Sequence, residues 1–192
     1  FYDNVDAGGN LKYWRPQTED GRWRWILYDT DWGFGLHSKT AYKHNSLDFH
    51  TEPEGPNWPN PPWSTFILRK LLDNPEFKQE FINRFADQMN YSFHPQRVLT
   101  YIEKHYRQIK PEMPKHLKRW RLSQRKWEEP VQIMRTFAKE RPHHMRMHLM
   151  DTIKTGKDVK LNITITEGGT IRLHTTPEVQ SNKKFTCSKY YR

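Results

Sequence analysis

Phe77, Phe81, Phe85 and Met89 recur at every fourth position, with Ile82 and Ala86 beside them. No other feature restricts the fold of this chain so tightly. That period places all six side chains on one stripe of a helix, and the stripe has to be covered by other elements. It reads as core material and not as a cofactor box. Asn74 is the predicted N-cap and Pro75 the first helical residue. The helical pattern recurs elsewhere. A helix is expected from Pro62 to Leu72, closed by Asp73-Asn74-Pro75. Another begins at His94-Pro95, with Val98, Leu99, Ile102 and Tyr106 as its buried face. Met113-Pro114 is expected to kink or break the chain beyond it. One helix from Glu128 carries Val131, Ile133, Met134, Phe137 and Ala138. A separate one from Pro142 carries Met145, Leu149 and Met150.

The front of the chain reads differently. Arg22-Trp23-Arg24-Trp25-Ile26-Leu27-Tyr28 alternates and then turns apolar, as a half-buried strand does. Glu19-Asp20-Gly21 is a turn signal, and Leu11-Lys12-Tyr13-Trp14-Arg15 is the expected partner strand. Such a hairpin brings Asp6, Asn10, Asp29 and Asp31 to one end. Kinase-type phosphoryl transfer uses a set of this kind. One carboxylate orients the attacking hydroxyl, while an amide oxygen and further carboxylates hold Mg²⁺. Asp and Asn are also ordinary turn residues, so their types and spacing leave both readings open.

These motifs are similar to those of the CotH kinase family, named for the spore coat protein H kinases. The likeness is carried by Asn4-Val5-Asp6, by Lys12-Tyr13-Trp14-Arg15, and by the run from Trp23 to Gly35 that contains Asp29-Thr30-Asp31-Trp32-Gly33-Phe34-Gly35. Asn57 to Thr65 and Phe77 to Phe85 resemble the later helical region, so the likeness extends from Asn4 to Leu149. It implies atypical protein kinase chemistry, with Mg²⁺ and ATP supplying phosphate to Ser or Thr of a partner protein. By resemblance, Asp6 is the catalytic Asp, Asn10 and Asp29 are metal ligands, and Asp31 is a further ligand or a supporting group. The turn after Asp6 is slightly shorter than the usual family turn and offers only Asn10. A nucleotide lobe with its Lys and Glu does not fit ahead of Asp6. The chain is therefore expected to be the C-terminal part of a larger kinase-like domain. The alternative is a non-catalytic binding or scaffold module of the same fold. Some relatives look like cell-surface proteins, which is compatible with a location outside the cytoplasm.

Composition bounds the remaining classes. At 192 residues the chain can bury a core, and with 34% hydrophobic but 14% aromatic residues the rings carry much of it. No apolar run approaches the ~18 residues of a membrane span. Cys187 stands alone, so an internal disulfide framework is excluded. The net charge is +10, and basic residues crowd Lys115–Lys126 and Lys139–Arg146. With Trp120 and Trp127 interleaved, the first stretch could hold nucleic acid. The preferred reading is a solvated helix face with inward tryptophans, since no nucleic-acid motif accompanies it. A basic groove for phosphates or an acidic substrate segment is a third possibility. His144 and His148 have chelating spacing but no obvious third ligand. Five prolines between His50 and Trp63 predict an extended connector, anchored by Trp58 and Trp63, or a substrate loop.

The tail changes character after Thr155-Gly156. Val159–Thr166 alternates with period two, Glu167-Gly168-Gly169 is a turn signal, and Thr170–His174 answers as a second strand. The expected organisation is a kinase-like segment over 1–155 and the start of a β-rich module over 156–192. The fold class is α+β: a short β-hairpin leading into a mostly α-helical lobe, like a kinase C-lobe, with a small C-terminal β extension.

Overall fold

The Asn74 side chain accepts a hydrogen bond from the Phe77 amide at 2.9 Å, and Pro75 occupies the first turn behind it. The cap and the aromatic period thus produce the expected helix. The computed structural model describes residues 1–6, 8–10, 12–55, 60–163, 170–171, 179–180 and 185–191. In chain order these form β1 (Lys12–Trp14), β2 (Arg24–Ile26), α1 (Ser46–Thr51), α2 (Pro62–Leu72), α3 (Pro75–Asn90), α4 (Pro95–Ile109), α5 (Met113–Trp120), α6 (Gln124–Ile153), β3 (Asp158–Ile163), β4 (Thr170–Ile171), β5 (Val179–Gln180) and β6 (Phe185–Tyr191). The architecture is α+β and mostly helical, with β1 and β2 as an antiparallel hairpin ahead of the helices.

The main core gathers Leu47 of α1, Ile82, Ala86 and Met89 of α3, Met145, Leu149 and Ile153 of α6, and Tyr191 of β6. Only one edge of the α3 stripe lies deep in it. Phe77, Phe81 and Phe85 are half-buried. With Phe1, Met89 and Phe93 they line a groove of about 570 Å³. A second seam joins α4 to α6. Tyr106 stacks on Trp127 with ring centroids 5.0 Å apart and donates to the Glu128 carboxylate at 2.9 Å. Arg135 binds Glu103 through both Nε and Nη2, at 2.6 and 3.2 Å. Of the predicted α4 face, Val98 is buried and Leu99, Ile102 and Tyr106 are half-buried.

Four expectations are corrected. The helices expected from Glu128 and from Pro142 are one helix of 30 residues that runs through Pro130 and Pro142. Each proline removes one amide donor. The face Val131, Ala138, Met145 and Leu149 is buried along its length, and that packing holds the helix together across both sites. The β1–β2 hairpin is not half-buried: Tyr13, Trp14, Trp23, Trp25 and Leu27 are all exposed, Leu27 by 77%. Trp120 points outward, whereas Trp127 points inward as expected. Trp63 is 71% exposed and is not the buried anchor expected. The connector is held instead by buried Asn60, whose Nδ2 donates to the Phe49 carbonyl at 2.6 Å. Pro56–Pro59, with Trp58, lie outside the described residues.

Among the described residues of the tail, two antiparallel pairs form. β3 runs antiparallel to β6, with Asp158 opposite Tyr191 and Ile163 opposite Phe185. β4 pairs with β5. The Glu167-Gly168-Gly169 turn and the rest of Thr170–His174 beyond Ile171 lie outside the described residues. Period-two alternation makes a strand but does not choose its partner. Here the choice goes with Tyr191, whose ring enters the helical core.

Candidate active site

Asn4 ties the acidic turn to the end of the hairpin, and Asn10 closes the turn itself. Asn4 accepts from the Asp6 amide through Oδ1 at 3.2 Å, and its Nδ2 donates to the Asp29 carbonyl at 3.1 Å. Asn10 closes the turn from the other side. Its Nδ2 lies 3.2 Å from both the Asp6 carbonyl and the Asp6 carboxylate. This is the local hydrogen bonding that short polar side chains offer a turn. It places Asp6 and Asn10 together and binds their loop to the strand end that carries Asp29 and Asp31.

Asp29 itself has a positive φ of 52°. Left-handed backbone is uncommon outside glycine but is tolerated by Asp and Asn. Its carboxyl is held above the ordinary range. The first cause is a hydrogen bond shared with the Asp31 carboxyl, followed by slight desolvation and by the charges of Asp31 and Asp6. Asp31 and the half-buried Asp6 thus both act on the exposed Asp29.

The loop beyond Asp31 is seated on the helical body. The Phe34 amide donates to the Tyr2 carbonyl at 2.8 Å. Gly33 packs against the same carbonyl, which would lie 2.7 Å from any added Cβ. Gly35 has φ +86°, and a Cβ there would meet the Ile133 side chain of α6 at 2.6 Å. Both glycines permit a backbone approach that no other residue allows.

Beneath this loop lies a polar hub that the sequence reading does not contain. Arg141 of α6 and Asp3 are both buried. Arg141 donates from Nε to the Phe1 carbonyl at 3.0 Å, from Nη1 to the Tyr42 and His44 carbonyls, and from Nη2 to Ser46 Oγ at 2.6 Å. Asp3 accepts from Ser46 at 2.5 Å and pairs with His44 Nδ1 at 2.7 Å. Among the described residues its second oxygen has no hydrogen bond, and His37 Nε2 lies 3.5 Å from it. Burial raises the Asp3 carboxyl, but the bonds from His44 and Ser46 and the Arg141 charge outweigh it and hold it below the ordinary range. Burial also brings Arg141 down to about 10 despite Asp3. The hub clamps residues 1–3 and 41–46 to α6, and so sets the height at which the Asp6 turn leaves the body. Asn4 was legible as part of an Asn-x-Asp pattern but its bracing role was not. Nothing local in the sequence pairs Asp3 with Arg141.

The donor set suits a hard cation. Carboxylate oxygens of Asp6, Asp29 and Asp31 and the amide oxygen of Asn10 are all oxygen ligands of the type Mg²⁺ prefers. Among the described residues no three His, Cys, Asp or Glu side chains form a group able to hold a metal ion alone. His144 and His148 stand side by side with ring centroids 6.1 Å apart, and both are pushed below the ordinary histidine value by burial first.

A turn carrying Asp and Asn, a hairpin ending in Asp-x-Asp and a helical lobe beneath them make a kinase-like domain, and comparison of the sequence with known families agrees. The model of the family described as CotH kinase protein matches residues 1–145, and the chain belongs to that family. Searches of curated proteins and of solved structures find no match. No helix among the described residues is long and apolar enough to cross a membrane.

Proposed function

We propose that this kinase-like domain transfers the γ-phosphate of ATP to a Ser or Thr hydroxyl of a partner protein, with Mg²⁺ as cofactor. The single observation that carries the reading is the Asn4 brace. It joins the Asp6 turn to the loop that carries Asp29, which supports assigning a base and cation-binding oxygens to one neighbourhood. In this reading Asp6 orients the incoming hydroxyl and accepts its proton. Asn10 and Asp29 would hold the metal, with Asp31 as a further ligand or as the partner that steers Asp29. Bound Mg²⁺ would offset phosphate charge during transfer. The rigid seat of Gly33 and Gly35 on Tyr2 and α6 limits how far these groups drift, and misplacement of reacting groups is costly to rate.

The test is calorimetry of ATP binding with and without Mg²⁺. Mg²⁺-dependent binding that disappears in Asp29→Ala supports the assignment. Asp6→Asn should retain nucleotide and lose turnover by at least about 100-fold. Full activity in that variant overturns the role given to Asp6.

A second reading, a non-catalytic binding module, is favoured by one observation: the exposed aromatic hairpin, where Tyr13, Trp23 and Trp25 cluster beside Arg15. Absence of nucleotide binding at millimolar Mg²⁺ selects it.

A further inference from the structure

We propose that the corner where α4, α5 and α6 meet docks on an anionic lipid bilayer surface. From Ile109 to Lys126 the chain carries seven Lys or Arg and one acid, Glu112. All seven cations are exposed. Lys115 pairs with Glu112 and Arg125 with Glu129. Lys110, Lys118, Arg119, Arg121 and Lys126 have no ion pair among the described residues. Clusters of four to eight such cations on an amphipathic helix attract anionic lipid headgroups.

Charge alone would suit any polyanion, and the apolar residues decide between them. The inward stripe of α5 is Met113 and Leu117, and the next position on it is Trp120. Leu117 is 8% exposed, but Trp120 overhangs the body at 59%. Leu122 on the far side of Arg121 and Ile109 at the end of α4 are exposed as well. A nucleic acid rewards the ring but gains little from aliphatic side chains. A bilayer interface takes Trp, Leu and Ile together while the cations stay at headgroup level.

The backbone adds an independent observation. Helix α5 closes with the Leu122 amide bonded to the Leu117 carbonyl at 2.9 Å, around Arg121 at φ 53° and ψ 40°. Glycine is the low-strain residue at such a left-handed stop. This chain instead holds a guanidinium there, next to Trp120, whose ring also lies 5.4 Å from Arg119.

The experiment is cosedimentation of the 192-residue chain with vesicles of phosphatidylcholine alone or mixed with phosphatidylserine. Binding is expected to the mixed vesicles only, and to fall as salt rises from about 0.1 M toward 1 M. Arg119→Glu with Arg121→Glu should weaken it at least about tenfold. Trp120→Ser should weaken it and remove part of the vesicle-induced blue shift in tryptophan emission. All three positions are exposed, so circular dichroism should be unchanged. Equal binding to both vesicle types, no binding to either, or wild-type binding by the charge-reversed variant overturns the proposal. So does tighter binding of a single-stranded oligonucleotide that is weakened by the same substitutions.

Discussion

At the scale of single residues, two positions decide whether the acidic edge can exist. Gly35 combines a left-handed φ with a neighbour at 2.6 Å from where a Cβ would stand. Gly35→Ala is expected to destabilise the fold by about 2 kcal/mol or more, from backbone strain together with overpacking against Ile133. Urea denaturation measures this directly, and an unchanged midpoint would mean that α6 yields freely at that point. Arg141 is the second. Removing one partner of a buried charged pair strands the other, at a typical cost of about 3–5 kcal/mol. Arg141→Met should therefore lose stability in that range and leave Asp3 charged without its clamp. If the loss is below about 1 kcal/mol, the carbonyls of Tyr42 and His44 are finding other donors. The acidic residues could be picked out as candidates because carboxylates and asparagines near glycine are read locally. The Asp3–Arg141 contact could not, because it joins positions far apart in sequence and neither has a motif around it.

At the scale of elements, the starts of α2, α3 and α4 are local events and agree with expectation, whereas α6 begins at Gln124, ahead of the expected Glu128, and does not restart at Pro142. Asn74 caps α3, and Asn74→Ala should cost about 1 kcal/mol, measured by thermal or urea unfolding, with Asn74→Asp recovering most of it. Helix ends and continuity were harder to read. Pro142 argues locally for a break, yet it is buried within α6 alongside Phe137, Ala138 and Met145. The burial of a long face offsets the loss of single backbone bonds, and sequence periodicity cannot register that sum. The β1–β2 hairpin shows the reverse. Its aromatic content implied burial, but pattern tells which residues can pack and not whether a partner surface is present.

At the scale of the whole molecule, the buried face of α6 carries His148, 8% exposed and with its Nδ1 lacking a hydrogen-bond partner. Burial, then the charges of Arg141 and His144, push its value down to about 4, with Asp151 opposing and His44 adding a smaller push. The folded value lies below the unfolded one of about 6.5. The unfolded chain therefore binds more protons between these limits, and stability rises with pH across them. Its contribution is full above pH about 6.5 and is lost progressively as pH falls to about 4. His50 and His144 are shifted the same way. Urea midpoints measured across this interval should fall with acid, and His148→Gln should flatten the slope. A variant as acid-sensitive as the parent would assign the effect to the other histidines.

By itself the sequence determined the helical lobe, the capped start of α3, the existence of a hairpin near the front, and the identity of the acidic residues at its end. Each of these depends on interactions within a few residues, where spacing and side-chain type are enough. The tertiary structure alone decided that β3 pairs with β6, that α6 runs unbroken past two prolines, that the front aromatics face outward, and that Arg141 and Asp3 lock the ends of the fold together. Those outcomes depend on which surfaces meet across long separations in the chain, and burial, unlike periodicity, is a property of the assembled molecule.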